Sequence, residues 1–355
     1  MKHYSFLQNK KIFITGNTGF IGSWLSLILI LFGAKLTGFS KPLTKENVLF
    51  KYCKLQKKYK TFFGNIENYK KIEEALKKSN PEIIIHLASQ PIVIESLKKP
   101  ISTLNTNLIG AANVLKASLT LKNLSNIIIF TSDKVYENNN LKNHRHVEND
   151  KLGGDDIYSA SKACQDILAY SFFKSFYKNK KNIKINTIRS GNIIGGLDYG
   201  KYRLVPDLIK FLKSNKKNLK LRNPNATRPW QHVLEPCFGI IKLIRYNNKK
   251  KLSNFNAFNF APNKKSQISV KNFTNLFLKN NKKNYKTIYA IDKNSSEKKY
   301  LSILGNKAEL ILNFKNKLSI KEAIKLTYDI YSLKSQKDIE EEIMKQINFY
   351  LKKKQ

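Results

Sequence analysis

Tyr158 and Lys162 stand four residues apart in the run Tyr158-Ser159-Ala160-Ser161-Lys162. On a helix that spacing puts both side chains on one face, one turn apart. An ammonium beside a phenol favours the phenolate and is expected to draw the tyrosine pKa down from its ordinary ~10. Such a pair can take the proton of an alcohol or sugar hydroxyl while hydride leaves the carbon. In a chain with 65 basic residues the spacing arises readily by chance. The reading therefore depends on the elements that position the pair.

Three segments upstream supply that context. Lys11 to Thr15 is a short β-type run, followed at once by Gly16-Asn17-Thr18-Gly19-Phe20-Ile21-Gly22 and a long apolar stretch. Strand, glycine turn and helix in that order is the setting in which glycines mean dinucleotide binding. They allow a tight turn and close backbone approach, and the helix N-terminus faces a pyrophosphate. Glu82 to Leu87 is an apolar strand leading into His86-Leu87-Ala88-Ser89-Gln90-Pro91, with His86 read as a strand-end packing residue. Asn105, Asn107 and the small residues Gly110, Ala111 and Ala112 follow on a closely packed helix. Asn126 to Phe130 then delivers Thr131-Ser132-Asp133-Lys134, a hydroxyl pair, a carboxyl and an amine at one strand end. Strands alternating with helices predict a doubly wound parallel sheet, whose ligands bind at the strands' carboxyl ends.

The 355 residues suffice for one large or two medium domains. The Rossmann-like pattern runs over 1–190, carrying Tyr158 and Lys162. Residues 191–355 turn shorter and more mixed, which predicts a smaller α/β substrate-binding domain with some chain crossing back. The formal charge of +40 invites a polyanion reading. The lysines are spread along the whole chain, however, and Lys, Asn, Ile, Phe and Tyr share A/T-rich codons. Neither a nucleic-acid nor a membrane partner is expected. Arginine is scarce: Arg145, Arg189, Arg203, Arg222, Arg228 and Arg245 are all there are. A retained arginine then marks a place that needs a planar fork, as in bidentate phosphate binding. Arg222, Asn225 and Arg228, with Arg203 nearby, have the chemistry to hold a diphosphate. Three scattered cysteines suit a reducing cytoplasm and no metal is expected. The apolar run Trp24 to Phe32 is too short to span a bilayer. Ile339, Ile343, Ile347 and Leu351 recur every four residues and predict a helix docked on its own chain.

Taken together these segments resemble the extended short-chain dehydrogenases that act on nucleotide sugars, the NAD-dependent epimerase/dehydratase family. The glycine spacing G-x-x-G-x-x-G is that family's form. Within it, Gly16 to Leu25, His86 to Pro91, Thr131 to Asn138, Gly191 to Gly196 and above all Arg222 to Pro236 are similar to the branch acting on CDP-glucose. Asn17 and Ile21 replace that branch's usual His and Lys, and Asn65 stands where an Asp usually contacts adenine. The resemblance implies bound NAD held by Gly16, Thr18, Gly19, Phe20, Ile21, Gly22, Asn65, Ile66, Leu87, Ala88, Ser89, Asn107 and Thr131, with Tyr158 and Lys162. It implies a nucleotide sugar, CDP-glucose, held by Gln90, Ser132, Asn192, Arg203, Arg222, Asn225 and Arg228. Tyr158 would act as base, Ser132 (or Thr131) would bind the same oxygen, Asp133 would be a protonated acid, and Lys134 a base with a depressed pKa. It further implies a homodimer and a place in deoxysugar and surface-polysaccharide biosynthesis. An epimerase on the same fold and a catalytically silent polyanion-binding protein are the alternatives.

Overall fold

The computed structural model describes residues 2–180, 182–248, 254–281, 283–290 and 298–354. Seven strands form one wholly parallel sheet: β1 (Lys11–Thr15), β2 (Lys35–Ser40), β3 (Lys60–Phe63), β4 (Ile83–His86), β5 (Asn126–Phe130), β6 (Lys184–Ser190) and β7 (Phe255–Phe260). Their order across the sheet is β7-β6-β5-β4-β1-β2-β3. The direction of winding reverses between β1 and β4, where Thr15 is in register with His86. The loops after these two strands therefore diverge and leave a crevice at the carboxyl edge.

A parallel sheet buried on both faces needs apolar residues pointing both ways. Ile12 and Ile14 of β1 and Ile128 and Phe130 of β5 face one core, while Phe13, Ile127 and Ile129 face the other. The first core is covered by α1 (Phe20–Leu31), which holds most of the Trp24 to Phe32 run, and by a helix at Leu234–Asn248. The second lies under helices at Tyr69–Ser79 and Gly110–Ser118, labelled α2 and α3, with Ala169 of α4 (Ile157–Phe172). Asp156 caps α4, accepting from the Ser159 N–H at 2.9 Å, which fixes where the Tyr158 turn begins.

Past β6 the chain builds a third core, with Leu208, Leu219, Leu221, Trp230, Phe273 and Ile324 at its centre. Around it lie three two-stranded pairings, Ile193–Ile194 with Gln231–His232, Thr227–Pro229 with Gln267–Ser269, and Asn218–Arg222 with Lys286–Ala290. The same half returns β7 to the large sheet. The helix Gln336–Lys352 buries Ile339, Ile343, Ile347 and Tyr350 in the first core, and the Tyr350 hydroxyl donates to Glu235 at 2.6 Å. No helix of the described residues is long and apolar enough to cross a membrane.

Candidate active site

The glycine loop after β1 is shaped by two different needs. Gly16 has φ +72°, and a Cβ on it would lie 2.8 Å from the Ala88 nitrogen. Both conformation and closeness demand glycine there. Gly19 has an ordinary φ of −73°, and its Cβ would meet only the Gly16 carbonyl, at 3.3 Å. The protein's own packing gives Gly19 little reason to be glycine, whereas a phosphate lying against the backbone does. The α1 N-terminus behind it has no side-chain cap and no acidic residue in its first turn, so its N–H groups suit an anion. Two orphaned buried atoms, Ser89 Oγ and Asp133 Oδ2, belong to the loops after β4 and β5. A dinucleotide fits this donor set.

The rest of the cofactor side is more structural than the sequence suggests. Thr18 N–H donates to Ser40 Oγ at 3.3 Å, tying the loop to the end of β2. Asn17 is buried beneath β2, its amide donating to Tyr59 and Thr61 at 3.1 and 2.9 Å. Its exchange for histidine is thus a packing matter. Asn65 is exposed and closes a local turn by accepting from Glu67 N–H, while Ile66 packs on Gly110. Phe20 and Ile21 lie half-buried at the start of α1 and Leu87 at the end of β4. The Thr131 hydroxyl donates to Ile188 O at 3.1 Å and lies 3.4 Å from Asp166, inside the sheet. Asn107 has both ends of its amide engaged within the protein, accepting from Gln90 N–H at 2.7 Å and donating to Ser161 Oγ at 2.8 Å. It sits in a π-helical turn, Asn105–Ile109, and pins the Gln90 loop to α4. The Gln90 side chain folds back on Ile92 and Thr103.

Ser132, Asp133, Tyr158 and Lys162 do come together. Ser132 lies close enough to the Tyr158 phenol to pull its pKa down, and Ser132 Oγ donates to Asp133 Oδ1 at 3.0 Å. Burial raises the Asp133 carboxyl to about 6, against the lowering pull of Lys134, Ser132 and Arg228. It is therefore poised to give a proton. The expected lowering of the Tyr158 pKa is not found. Burial of a phenolate pushes it up to about 12, outweighing the pull of Ser132 and of the Arg203 charge. Lys162 explains why. Its ammonium reaches Gln165 Oε1 at 3.0 Å and Phe130 O at 3.3 Å rather than the phenol, and burial pushes it down to about 7. Gln165 passes the contact to His86 at 3.3 Å, and His86 to Thr15 at 2.8 Å. Burial holds the His86 ring near 3, hence neutral. His86 is a packing and bridging residue, as its strand-end position suggests.

The arginines divide. Arg203 clamps Asp198 at 2.8 and 2.9 Å and lies close enough to Tyr158 to act on its charge. Arg228 is buried beside Asp133. Arg222 is exposed near Asp207 on an edge strand, and Asn225 is exposed in the following turn; these two are not brought to Asp133. Asn192 accepts from Gln231 N–H at 2.9 Å through its backbone. Arg189 uses its fork inside the protein, on Asp166 at 2.8 Å through both Nε and Nη2, and donates to Tyr136 at 3.0 Å. Asp166 also accepts from Thr187 at 3.1 Å. This buried network supports the 131–136 segment from below. The scarcity of arginine pointed to Arg189, but a partner 23 residues away leaves no local signal.

The family model described as GDP-mannose 4,6 dehydratase matches residues 13–327. A CDP-glucose 4,6-dehydratase of Salmonella typhimurium is 36% identical, over 73% of this chain and 72% of that protein. A dTDP-D-glucose 4,6-dehydratase of Dictyostelium discoideum is 31% identical over 59% of this chain and 49% of that one. Among solved structures, a UDP-glucuronic acid 4-epimerase from Bacillus cereus, in complex with UDP-glucuronic acid and NAD, superposes with TM-score 0.78 at 19% identity, covering 90% and 98% of the two chains. A dTDP-glucose 4,6-dehydratase from Bacillus anthracis in complex with NAD gives 0.75 at 21% identity, covering 91% and 96%. With the glycine loop, the Ser132–Tyr158 pair and the seven-stranded sheet already in place, the chain belongs to the NAD-dependent sugar-nucleotide epimerase and dehydratase family of extended short-chain dehydrogenases.

Proposed function

We propose that the protein is a CDP-glucose 4,6-dehydratase, converting CDP-glucose into CDP-4-keto-6-deoxyglucose and water. The observation that carries this reading is Asp133. It is a buried carboxyl raised to about 6, accepting from Ser132, whose hydroxyl acts on the neighbouring Tyr158 phenol, and followed by Lys134. An epimerase moves hydride on and off C4 and has no hydroxyl to expel; a 4,6-dehydratase must protonate one.

The residues take the following parts. Tyr158, as phenolate, would accept the proton of the glucose 4-hydroxyl, and Ser132 would hold that oxygen; burial disfavours that form in the protein alone, and the positive charge of a bound NAD⁺ ring would favour it. NAD, when bound, supplies the acceptor for the C4 hydride and returns it to C6. The new 4-ketone acidifies C5–H, and Lys134 removes that proton. Asp133 protonates the departing 6-hydroxyl, which leaves as water; C5 regains a proton as C6 receives hydride, so the cycle closes without net redox change. Gly16, Gly19 and the α1 N-terminus would hold the pyrophosphate of the cofactor. Arg203 and Arg228, the two arginines nearest the catalytic cluster, would face the sugar nucleotide.

The preference for cytosine rests on the resemblance through Arg222 to Pro236 and on the 36% identity to the Salmonella enzyme. We further infer a cytoplasmic homodimer serving deoxysugar biosynthesis. Its contact would use Leu97, Ile101, Ile109, Ile167 and Tyr170, apolar side chains left exposed on the helices around 93–109 and on α4. Incubation with added NAD⁺ and each of CDP-, dTDP- and UDP-glucose and GDP-mannose tests the substrate. A 6-deoxy methyl doublet in the proton NMR spectrum with CDP-glucose alone is expected. A doublet with another nucleotide would discard the cytosine preference, and silence with all four, in protein holding NAD⁺, would discard the dehydratase.

A further inference from the structure

The loop between Tyr136 and α4 carries a cluster that the reaction above does not use. His144 Nε2 lies 3.2 Å from His146 Nδ1, and each of these nitrogens lies 2.9 Å from the same oxygen, Asp150 Oδ2. As hydrogen bonds the triangle is satisfied when both facing nitrogens carry protons and Asp150 Oδ2 accepts from each. With those nitrogens deprotonated, the same three atoms converge on one point and offer it three lone pairs, which is the arrangement a cation takes.

The dimensions suit a small divalent metal. Bonds of ~2.0–2.1 Å from nitrogen or carboxylate oxygen to tetrahedral Zn²⁺ place neighbouring ligand atoms roughly 3.3 Å apart. The observed edges of 2.9, 2.9 and 3.2 Å need to open by only a few tenths of an ångström. Two imidazoles and one carboxylate select a borderline metal over Mg²⁺ or Ca²⁺, which prefer all-oxygen shells. The ligands are also held in place. The His146 ring is buried and stacks on Tyr136, centroids 4.7 Å apart and planes 3° from parallel. Its backbone pairs with Ser302 O and Leu304 N–H at 2.9 and 2.8 Å. His144 is half-exposed, so a fourth position opens to water.

We propose that His144, His146 and Asp150 form a three-ligand Zn²⁺ site, completed by water, which staples the 137–152 loop onto Tyr136 next to the catalytic segment. The expectation that the chain takes no metal looked only at the scattered cysteines. The spacing His-x-His-x3-Asp puts all three ligands in one loop, and only the fold turns the two rings toward each other.

The test uses the full-length protein, stripped with a chelator and with its accessible thiol, Cys164, alkylated; Cys53 and Cys237 are buried in the core. Zn²⁺ is titrated in competition with a chromophoric chelator, and Co²⁺ serves as the visible-absorbance probe of a tetrahedral site. One equivalent per chain is expected, with tetrahedral Co²⁺ bands and a rise in melting temperature on adding Zn²⁺. His144→Ala, at a half-exposed position that leaves the core intact, should weaken binding at least ~100-fold, the upper end of the loss from removing even a supporting partner. It should also abolish the bands and the thermal shift. Asp150→Asn should behave alike. Failure of the wild type to take up a stoichiometric ion would overturn the proposal, as would equal uptake by both variants.

Discussion

Raising the pH through 6 is the perturbation that bears most directly on Asp133 as the acid. Its side chain is 3% exposed, and burial lifts the carboxyl to about 6 although Lys134, Ser132 and Arg228 all pull it down. An acid with that value is protonated in about half of the molecules at pH 6 but in about one in eleven at pH 7 and about one in a hundred at pH 8. The sign follows from the role. The protonated form is the active one, so kcat falls on the alkaline side, approaching tenfold per unit, when loss of the 6-hydroxyl limits turnover. The assay is product formation at saturating CDP-glucose from pH 5.5 to 8.5. Asp133→Asn keeps the shape but has no acidic proton, and removing a general acid costs about 10²–10⁴-fold in rate. The limb near 6 should disappear with it. Arg228→Met removes a cation that holds the carboxyl down, so the limb should move to higher pH. A flat wild-type profile across this range, or the same limb persisting in Asp133→Asn, would refute the assignment.

Tyr158→Phe removes the oxygen assigned to accept the 4-hydroxyl proton, and should give neither product nor a transient absorbance of reduced cofactor on mixing with substrate; a normal transient would end its role as base. Asp166→Asn leaves Arg189 buried against a neutral partner, and breaking a buried pair in this way costs about 3–5 kcal/mol. A urea midpoint within error of wild type would show that the pair contributes nothing to stability. Sedimentation equilibrium should give twice the 41.0 kDa chain mass for wild type and the single mass for Ile101→Glu, whereas a wild-type monomer would contradict the proposed contact.

What the sequence made legible is local. The glycine spacing needs seven residues, the Tyr158–Lys162 spacing needs five, and the alternation of strand and helix is a pattern of near neighbours. Each is written in consecutive residues and survived folding. What was illegible is set by burial and by partners remote in the chain. The direction of the Tyr158 shift depends on how dry its site is, and desolvation overrode the charge argument. Lys162 was expected to face the phenol, but Gln165, one turn further along α4, and the Phe130 carbonyl take its ammonium. Thr131 belongs to a strand end that reads as chemistry, yet its side chain faces the Asp166 network one strand over. Arg189 stood out by its rarity, but its fork serves a carboxylate in the sheet, not a ligand. Arg222 and Arg228 are six residues apart and looked like one phosphate clamp; the turn at Asn223, with φ +46°, sends only Arg228 to the catalytic cluster.

The central claim is that hydride taken from C4 ends at C6 while water is lost. CDP-glucose deuterated at C4 tests it in one spectrum. The account predicts that the product's methyl group carries one deuterium and that C4 is a ketone. Deuterium retained at C4 of a newly formed C4 epimer would contradict a dehydratase and assign the Tyr158 site to epimerisation. Deuterium lost to solvent would contradict the return of hydride within the same closed site.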